Sequence, residues 1–194
     1  MEKGLDSVWR FIRNTSVWLK NPAVVDEHFV PTLGLELEPY IQRGNTTGVH
    51  HLIRYQWTLD MLSNLKSVRT LLDIACGSGY GSFMIAGNFP AIRVTGADYD
   101  HAVVERAQKT YRLPNLSFHY GDAASWDETI GPMVFDCITC FDTIEHIAAR
   151  ELAMENLVNH LSEDGYVFFS TPCGWSSNNL NPKWQYHKLA SVIG

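Results

Sequence analysis

No apolar stretch in these 194 residues approaches the ~20 positions that a membrane-spanning helix needs. Basic residues are outnumbered, Lys+Arg 15 against Asp+Glu 21, for a formal net charge of -6. That leaves too little cationic surface for broad binding to a phosphate backbone, and a nucleic-acid partner is not expected. Cysteine is sparse: Cys76, Cys137, Cys140 and Cys173 do not make a disulfide framework in a chain this long. Cys137 and Cys140 form a C-x-x-C inside an apolar run that reads as a strand. Side chains three apart on a strand point to opposite faces, so shared zinc ligation or a redox pair is not expected there. Repeats and low-complexity tracts are absent, and charges such as Glu2, Arg10 and Lys20 interrupt the apolar stretches of residues 1–20, so no secretory signal is expected. The expectation is a reduced, cytoplasmic protein.

What is present is the material of a folded domain, with hydrophobic residues at 45% and aromatics at 12%. A single domain of this length buries roughly 70% of its extended-chain surface. Residues 1–46 read as an N-terminal helical and irregular extension, a possible lid, and residues 47–194 as the main domain. In the extension, Leu5, Val8, Ile12 and Leu19 have helical spacing up to Asn21-Pro22, and Pro22, Pro31, Gly34, Pro39 and Gly44 then punctuate an irregular stretch. A stronger helix is predicted from about 47 to 64 on the repeat of Leu52, Tyr55, Leu59 and Leu62, with Thr46 or Thr47 as its N-cap. Beyond it, short β-branched or aromatic runs at 68–75, 92–97, 116–120, 134–141 and 166–170 alternate with helical patterns at 79–88, 101–111 and 148–161. Runs without strict alternation suit strands buried on both faces, and strand–helix alternation gives a mostly parallel sheet. The predicted fold is an open, doubly wound α/β sheet with helices on both faces.

The first strand ends in Asp73-Ile-Ala-Cys-Gly77-Ser-Gly79-Tyr-Gly81, and a helix follows. Glycines at a strand-to-helix turn let a ligand approach the main chain closely. Asp98 ends the second strand, where a carboxylate in an open sheet can meet a ribose. Read as a dinucleotide fingerprint, the loop has Ser82 at its third position, an imperfect match, and gives Asp73 no task. A pyrophosphate gains nothing from a nearby anion, whereas a cofactor carrying an amino group and a sulfonium gains a great deal. S-adenosylmethionine is therefore favoured over NAD.

The same segment resembles the first motif of class I S-adenosylmethionine-dependent methyltransferases, whose fold is a Rossmann-like sheet. Asp98 matches their ribose-binding acid, Gly121-Asp122-Ala123 their adenine segment, and Phe135-Asp136 and 161–165 their later motifs, in order. The resemblance implies that Asp73 and the backbone of Ala75, Cys76, Gly77, Ser78 and Gly79 lie around the methionine moiety. It further implies Asp98 on the ribose, Tyr99 against the adenine, and Asp122 with Ala123 at the adenine edge. Phe141 and Asp142 would stand at the active-site mouth. Alanine at position 75 departs from the family's usual first glycine, which is tolerable where the backbone angles are ordinary.

The acceptor is less legible. The Asn/Asp-Pro-Pro-Tyr/Phe motif of amino-group nucleic-acid methyltransferases is missing after the fourth strand. In its place, Asp142-Thr-Ile-Glu145-His146 resembles the ExxEH stretch of ubiquinone-pathway and small-RNA 2′-O-methyltransferases. His146 is then a candidate general base with Glu145 beside it, and Asp142, Glu145 and His146 are weak candidate ligands for Mg²⁺. The plainer reading, a Glu-His pair that starts the next helix and orders the loop, outweighs the metal. His51-Leu-Ile-Arg54-Tyr55 ahead of the glycine loop resembles bacterial methyltransferases of sugar and cell-envelope biosynthesis, in which Arg54 and Tyr55 would lie near the cofactor carboxylate. After the fifth strand too little chain follows for the two strands that normally close the family's sheet. The expectation is a sheet lacking its last strands, whose open edge favours homo-oligomers. The reading is methyl transfer to oxygen of a small molecule or sugar. Its rivals are a non-catalytic cofactor- or partner-binding module and an NAD-dependent oxidoreductase.

Overall fold

The computed structural model describes residues 29–126 and 130–171. The predicted helix at the start of the extension, Cys173 and everything after Thr171 lie outside the described residues. In chain order the elements are α1 (Glu38–Gln42), α2 (Thr46–Ser63), β1 (Thr70–Ile74), α3 (Tyr80–Asn88), β2 (Arg93–Asp98), α4 (His101–Thr110), β3 (Leu116–Tyr120), β4 (Phe135–Phe141), a 3₁₀ turn (Ile144–His146), α5 (Arg150–Asn159) and β5 (Leu161–Ser170). The strands form one sheet in the order β3-β2-β1-β4-β5, every described pair parallel. The order reverses between β1 and β4, and in open α/β sheets the crevice for a ligand lies at such a reversal, at the strands' carboxyl ends.

Side-chain alternation sends each strand's apolar residues to two cores. Leu71, Val94 and Cys137 pack with α2 and α3, while Leu72, Ile74, Ile138 and Cys140 pack with Ala153 and Leu157 of α5 and with Trp126. Cys137 and Cys140 thus sit on opposite faces, and burial pushes both thiols up to about 12, far from reactive thiolates. Leu52, Leu71, Leu72 and Ile138 are fully buried, each worth roughly 1.5–3 kcal/mol of transfer free energy. At the opposite end from the crevice, the Asp136 carboxylate accepts from the N–H groups of Arg69 and Thr70, pinning the start of β4 to that of β1. Its role there is structural.

Three local expectations change. The irregular stretch before α2 contains α1, because Pro39 stands in that helix's first turn, where its fixed φ fits and its missing N–H costs nothing. The N-cap of α2 is Asn45, whose side chain accepts from the Gly48 N–H at 2.9 Å, rather than Thr46 or Thr47. And β5 starts at Leu161, paired with Phe135, before a register shift leads to the Cys137–Tyr166 pair. A bulge of this kind reads as a turn in sequence.

Candidate functional site

The loop from β1 to α3 passes under the crevice through three left-handed residues: Ala75 (φ 57), Gly77 (φ 54) and Gly79 (φ 84). At Gly79 a side chain is also excluded sterically, since a Cβ would stand 2.8 Å from both the Ala107 Cβ and the Phe118 ring. The backbone angle at Ala75 is therefore not the ordinary one that alanine suits. A left-handed alanine costs about 1–2 kcal/mol against its own side chain. The loop bears this because the two residues after Ala75 are tied to β2: the Cys76 N–H donates to the Ala97 carbonyl at 3.0 Å and the Gly77 N–H to Asp98 Oδ2 at 2.8 Å.

Asp98 is almost fully buried at the end of β2, and its Oδ1 accepts from the Asp100 N–H at 3.0 Å. Capping of α4 falls to Asp100, which accepts from the N–H groups of Ala102 and Val103. That frees Asp98 to join the glycine loop to the second strand, the place predicted for a ribose. Tyr99 follows at the rim, 58% exposed. Asp122, after β3, closes a turn by accepting from the Ala124 N–H at 2.8 Å, and the buried Ala123 offers its carbonyl to Asn156.

Beneath the loop lies Asp73, fully buried. It accepts from the hydroxyls of Tyr55 (3.1 and 3.2 Å), Ser82 (2.7 Å) and Thr139 (2.7 Å), so α2, α3 and β4 each contribute one donor. Among the described residues it forms no ion pair. Burial outweighs the three hydroxyl bonds and lifts its carboxyl to about 6. Tyr55, expected near the cofactor carboxylate, is buried with its hydroxyl on Asp73 and its ring edge-on to Tyr80 and Phe141. A Cβ at Gly81 would stand 2.0 Å from that ring, so Gly81 is the residue that lets α2 close on α3.

At the mouth, Arg54 of α2 pairs with Asp142, the residue after β4. Asp142 is itself left-handed (φ 48), and it exchanges bonds with Ser170: its N–H donates to the Ser170 carbonyl at 2.8 Å while the Ser170 hydroxyl donates to its Oδ1 at 3.0 Å. A helix and the ends of two strands thus meet around one carboxylate. Glu145 lies in the 3₁₀ turn just beyond, buried, its Oε2 accepting from Thr171 at 3.1 Å. Burial, with Asp142 nearby, raises its carboxyl to about 7. Its Oε1 stands 3.9 Å from Nε2 of His146, whose side chain is 45% exposed. Among the described residues no three His, Cys, Asp or Glu side chains are grouped to hold a metal ion, so Asp142, Glu145 and His146 are not assembled as a ligand set. Asp142 is committed to Arg54 and Ser170 instead.

A methyltransferase-domain model matches residues 49–193, well over half of the chain. The chain belongs to that family. Malonyl-(acyl-carrier protein) O-methyltransferase of Bacillus cereus is 29% identical to it over 111 residues, 56% of this chain and 39% of that protein. Trans-aconitate 2-methyltransferase of Methylobacterium radiotolerans is 38% identical over 108 residues, 56% and 40% of the two chains. This methyltransferase domain thus spans about two-fifths of the length of those relatives. Among solved structures, DesVI of Streptomyces venezuelae has the same fold, at TM-score 0.53 and 21% identity over 64% of this chain and 52% of that one.

The pocket residues fit the family's cofactor, S-adenosylmethionine. A buried carboxylate with no ion pair among the described residues suits a ligand that carries positive charge, and the left-handed angles at Gly77 and Gly79 leave the main chain open to close approach. The sequence names Asp73, Asp98, Asp142, Glu145 and the glycine loop as candidates. It missed Ser82 and Thr139, which complete the Asp73 network, and Phe29, whose carbonyl accepts from the Ser78 hydroxyl at 2.6 Å. For Ser82 a signal existed, since it is the third residue of α3, the helix that opens at the glycine loop.

Proposed function

We propose that this domain transfers the methyl group of S-adenosylmethionine to an oxygen of a small-molecule acceptor, sugars included. The observation that carries the proposal is the Glu145–His146 pair, a buried carboxylate behind a half-exposed imidazole, beside the loop at the carboxyl end of β4. Bound S-adenosylmethionine supplies an electrophilic methyl carbon on a positively charged sulfur. Asp98 would hold its ribose hydroxyls, Tyr99, Asp122 and Ala123 its adenine, and Arg54 its carboxylate. Asp73 supplies negative potential from below. Displacement at a methyl carbon is governed by alignment, so the protein's main contribution is to hold the acceptor in line and keep water out. Where the acceptor is a hydroxyl, His146 takes its proton, and ionised Glu145 balances the imidazolium that forms. The pocket gives NAD no comparable support, because a buried anion repels a pyrophosphate.

The names of the two curated relatives favour a second form of the reading, in which the accepting oxygen belongs to a carboxylate. A carboxylate is already ionised at neutral pH and asks nothing of a base. Transfer of labelled methyl to panels of hydroxyl and carboxylate acceptors distinguishes the two. His146→Ala lowers kcat about 100-fold on a hydroxyl acceptor and changes it little on a carboxylate. No transfer to any acceptor from a protein that binds S-adenosylhomocysteine would identify a non-catalytic module instead.

A further inference from the structure

Ser78 stands between two left-handed glycines in what would otherwise be the most pliable stretch of the pocket, yet it is itself buried. Its hydroxyl donates to the Phe29 carbonyl at 2.6 Å, a contact between residues 49 positions apart. The Phe29 ring lies flat on His51 (centroids 4.7 Å apart, 2° between planes), edge-on to Tyr80 (5.5 Å, 83°) and tilted against Tyr40 (6.0 Å, 59°). The Tyr80 hydroxyl donates to the His51 carbonyl at 3.1 Å, which locks two walls of this aromatic socket together. Tyr80 and Ser78 flank Gly79, so Phe29 holds the loop on both sides of that left-handed glycine: by carbonyl before it and by ring after it. Burial and the neighbouring Arg54 and His50 bring the His51 imidazole down to about 4, so it stacks on Phe29 as a neutral ring.

We propose that Phe29 is a cofactor-positioning residue: seated in the Tyr40–His51–Tyr80 socket with its carbonyl on Ser78, it pre-forms the glycine loop for S-adenosylmethionine. The proposal rests on the reading that this loop holds that cofactor. It also gives the Ser78 hydroxyl a task within the protein, while the Ser78 backbone stays at the place expected for the ligand. Without Phe29 the two glycines flanking Ser78 regain their freedom, and binding must order them again, which appears as weaker affinity and faster release.

The test is titration calorimetry and stopped-flow release of S-adenosylhomocysteine, well below each protein's melting temperature. Phe29→Ala is expected to weaken binding about tenfold, chiefly through faster dissociation. Ser78→Ala is expected to give a smaller loss. Phe29→Tyr, which keeps the ring, restores most of the affinity, and amide exchange at residues 77–79 quickens in Phe29→Ala alone among these variants. If wild type binds, Asp98→Ala does not, and folded Phe29→Ala binds and releases like wild type, this proposal is overturned while the cofactor reading stands. If wild type fails to bind, both are overturned.

Discussion

Replacing Asp73 by Asn should stabilise the protein while weakening the cofactor site, and the size of the gain follows from the geometry. Asp73 is fully buried, with three hydroxyl donors and a carboxyl raised from an ordinary 3.8 to about 6. The folded state therefore holds the proton more tightly than the unfolded chain does. Stability from this group is complete below pH 4, falls as pH rises from about 4 to 6, and stays low above that. One pH unit is worth about 1.4 kcal/mol, so a charged Asp73 costs the folded protein about 3 kcal/mol at pH 8. Asparagine reproduces the shape and neutrality of the protonated form, and the hydroxyls of Tyr55, Ser82 and Thr139 can each turn to accept as well as donate. The gap between Asp73→Asn and wild type should be near zero at pH 4 and about 3 kcal/mol in the variant's favour at pH 8. For a chain of this length the larger value corresponds to roughly 6–12 °C in Tm. Urea unfolding at a series of pH values measures it, and the difference between the two proteins cancels other groups such as Glu145. A variant less stable than wild type at pH 8, or a gap that does not change with pH, would refute the account of Asp73 as a destabilising buried charge.

Three other outcomes are expected. Ala75→Gly relieves the left-handed strain at φ 57 and should raise unfolding stability by about 1 kcal/mol in denaturant titration. Gly81→Ala places a Cβ 2.0 Å from the Tyr55 ring, which Asp73 holds in place, and should cost about 3 kcal/mol in the same measurement. Glu145, raised to about 7, becomes ionised only as pH passes that value, so kcat/KM on a hydroxyl acceptor should climb through pH 7 and flatten above it. Glu145→Gln should abolish that limb of the profile, and an unchanged profile would remove Glu145 from the proton path.

Much of this arrangement could be read before any coordinates, and for physical reasons. Strands buried on both faces announce themselves as short apolar runs, and a strand-to-helix turn rich in glycine has few alternative structures, so β1 to β4 and the loop were legible. What failed did so locally. Pro39 looked like punctuation although a first helical turn accepts proline, and residues 162–165 looked like a turn although they bulge within a strand. The Asp73 network was half legible: the carboxylate stood out, but its donors come from α2, α3 and β4 and share no sequence period. The left-handed angle of Ala75 had no signal, because alanine is not the residue that such angles advertise. Phe29 was hidden for the same reason as Thr139, since contacts across 49 and 66 positions leave no local pattern.

The central claim, that the glycine loop and Asp98 form an S-adenosylmethionine pocket, is met most directly by thermal unfolding with millimolar S-adenosylhomocysteine or, separately, NAD. A ligand at ~100 times its Kd adds about 2.7 kcal/mol, a shift of several degrees. The account predicts that shift with S-adenosylhomocysteine, none with NAD, and its loss in Asp98→Ala. A cooperatively folded protein that S-adenosylhomocysteine leaves unmoved, or that NAD stabilises instead, would contradict it.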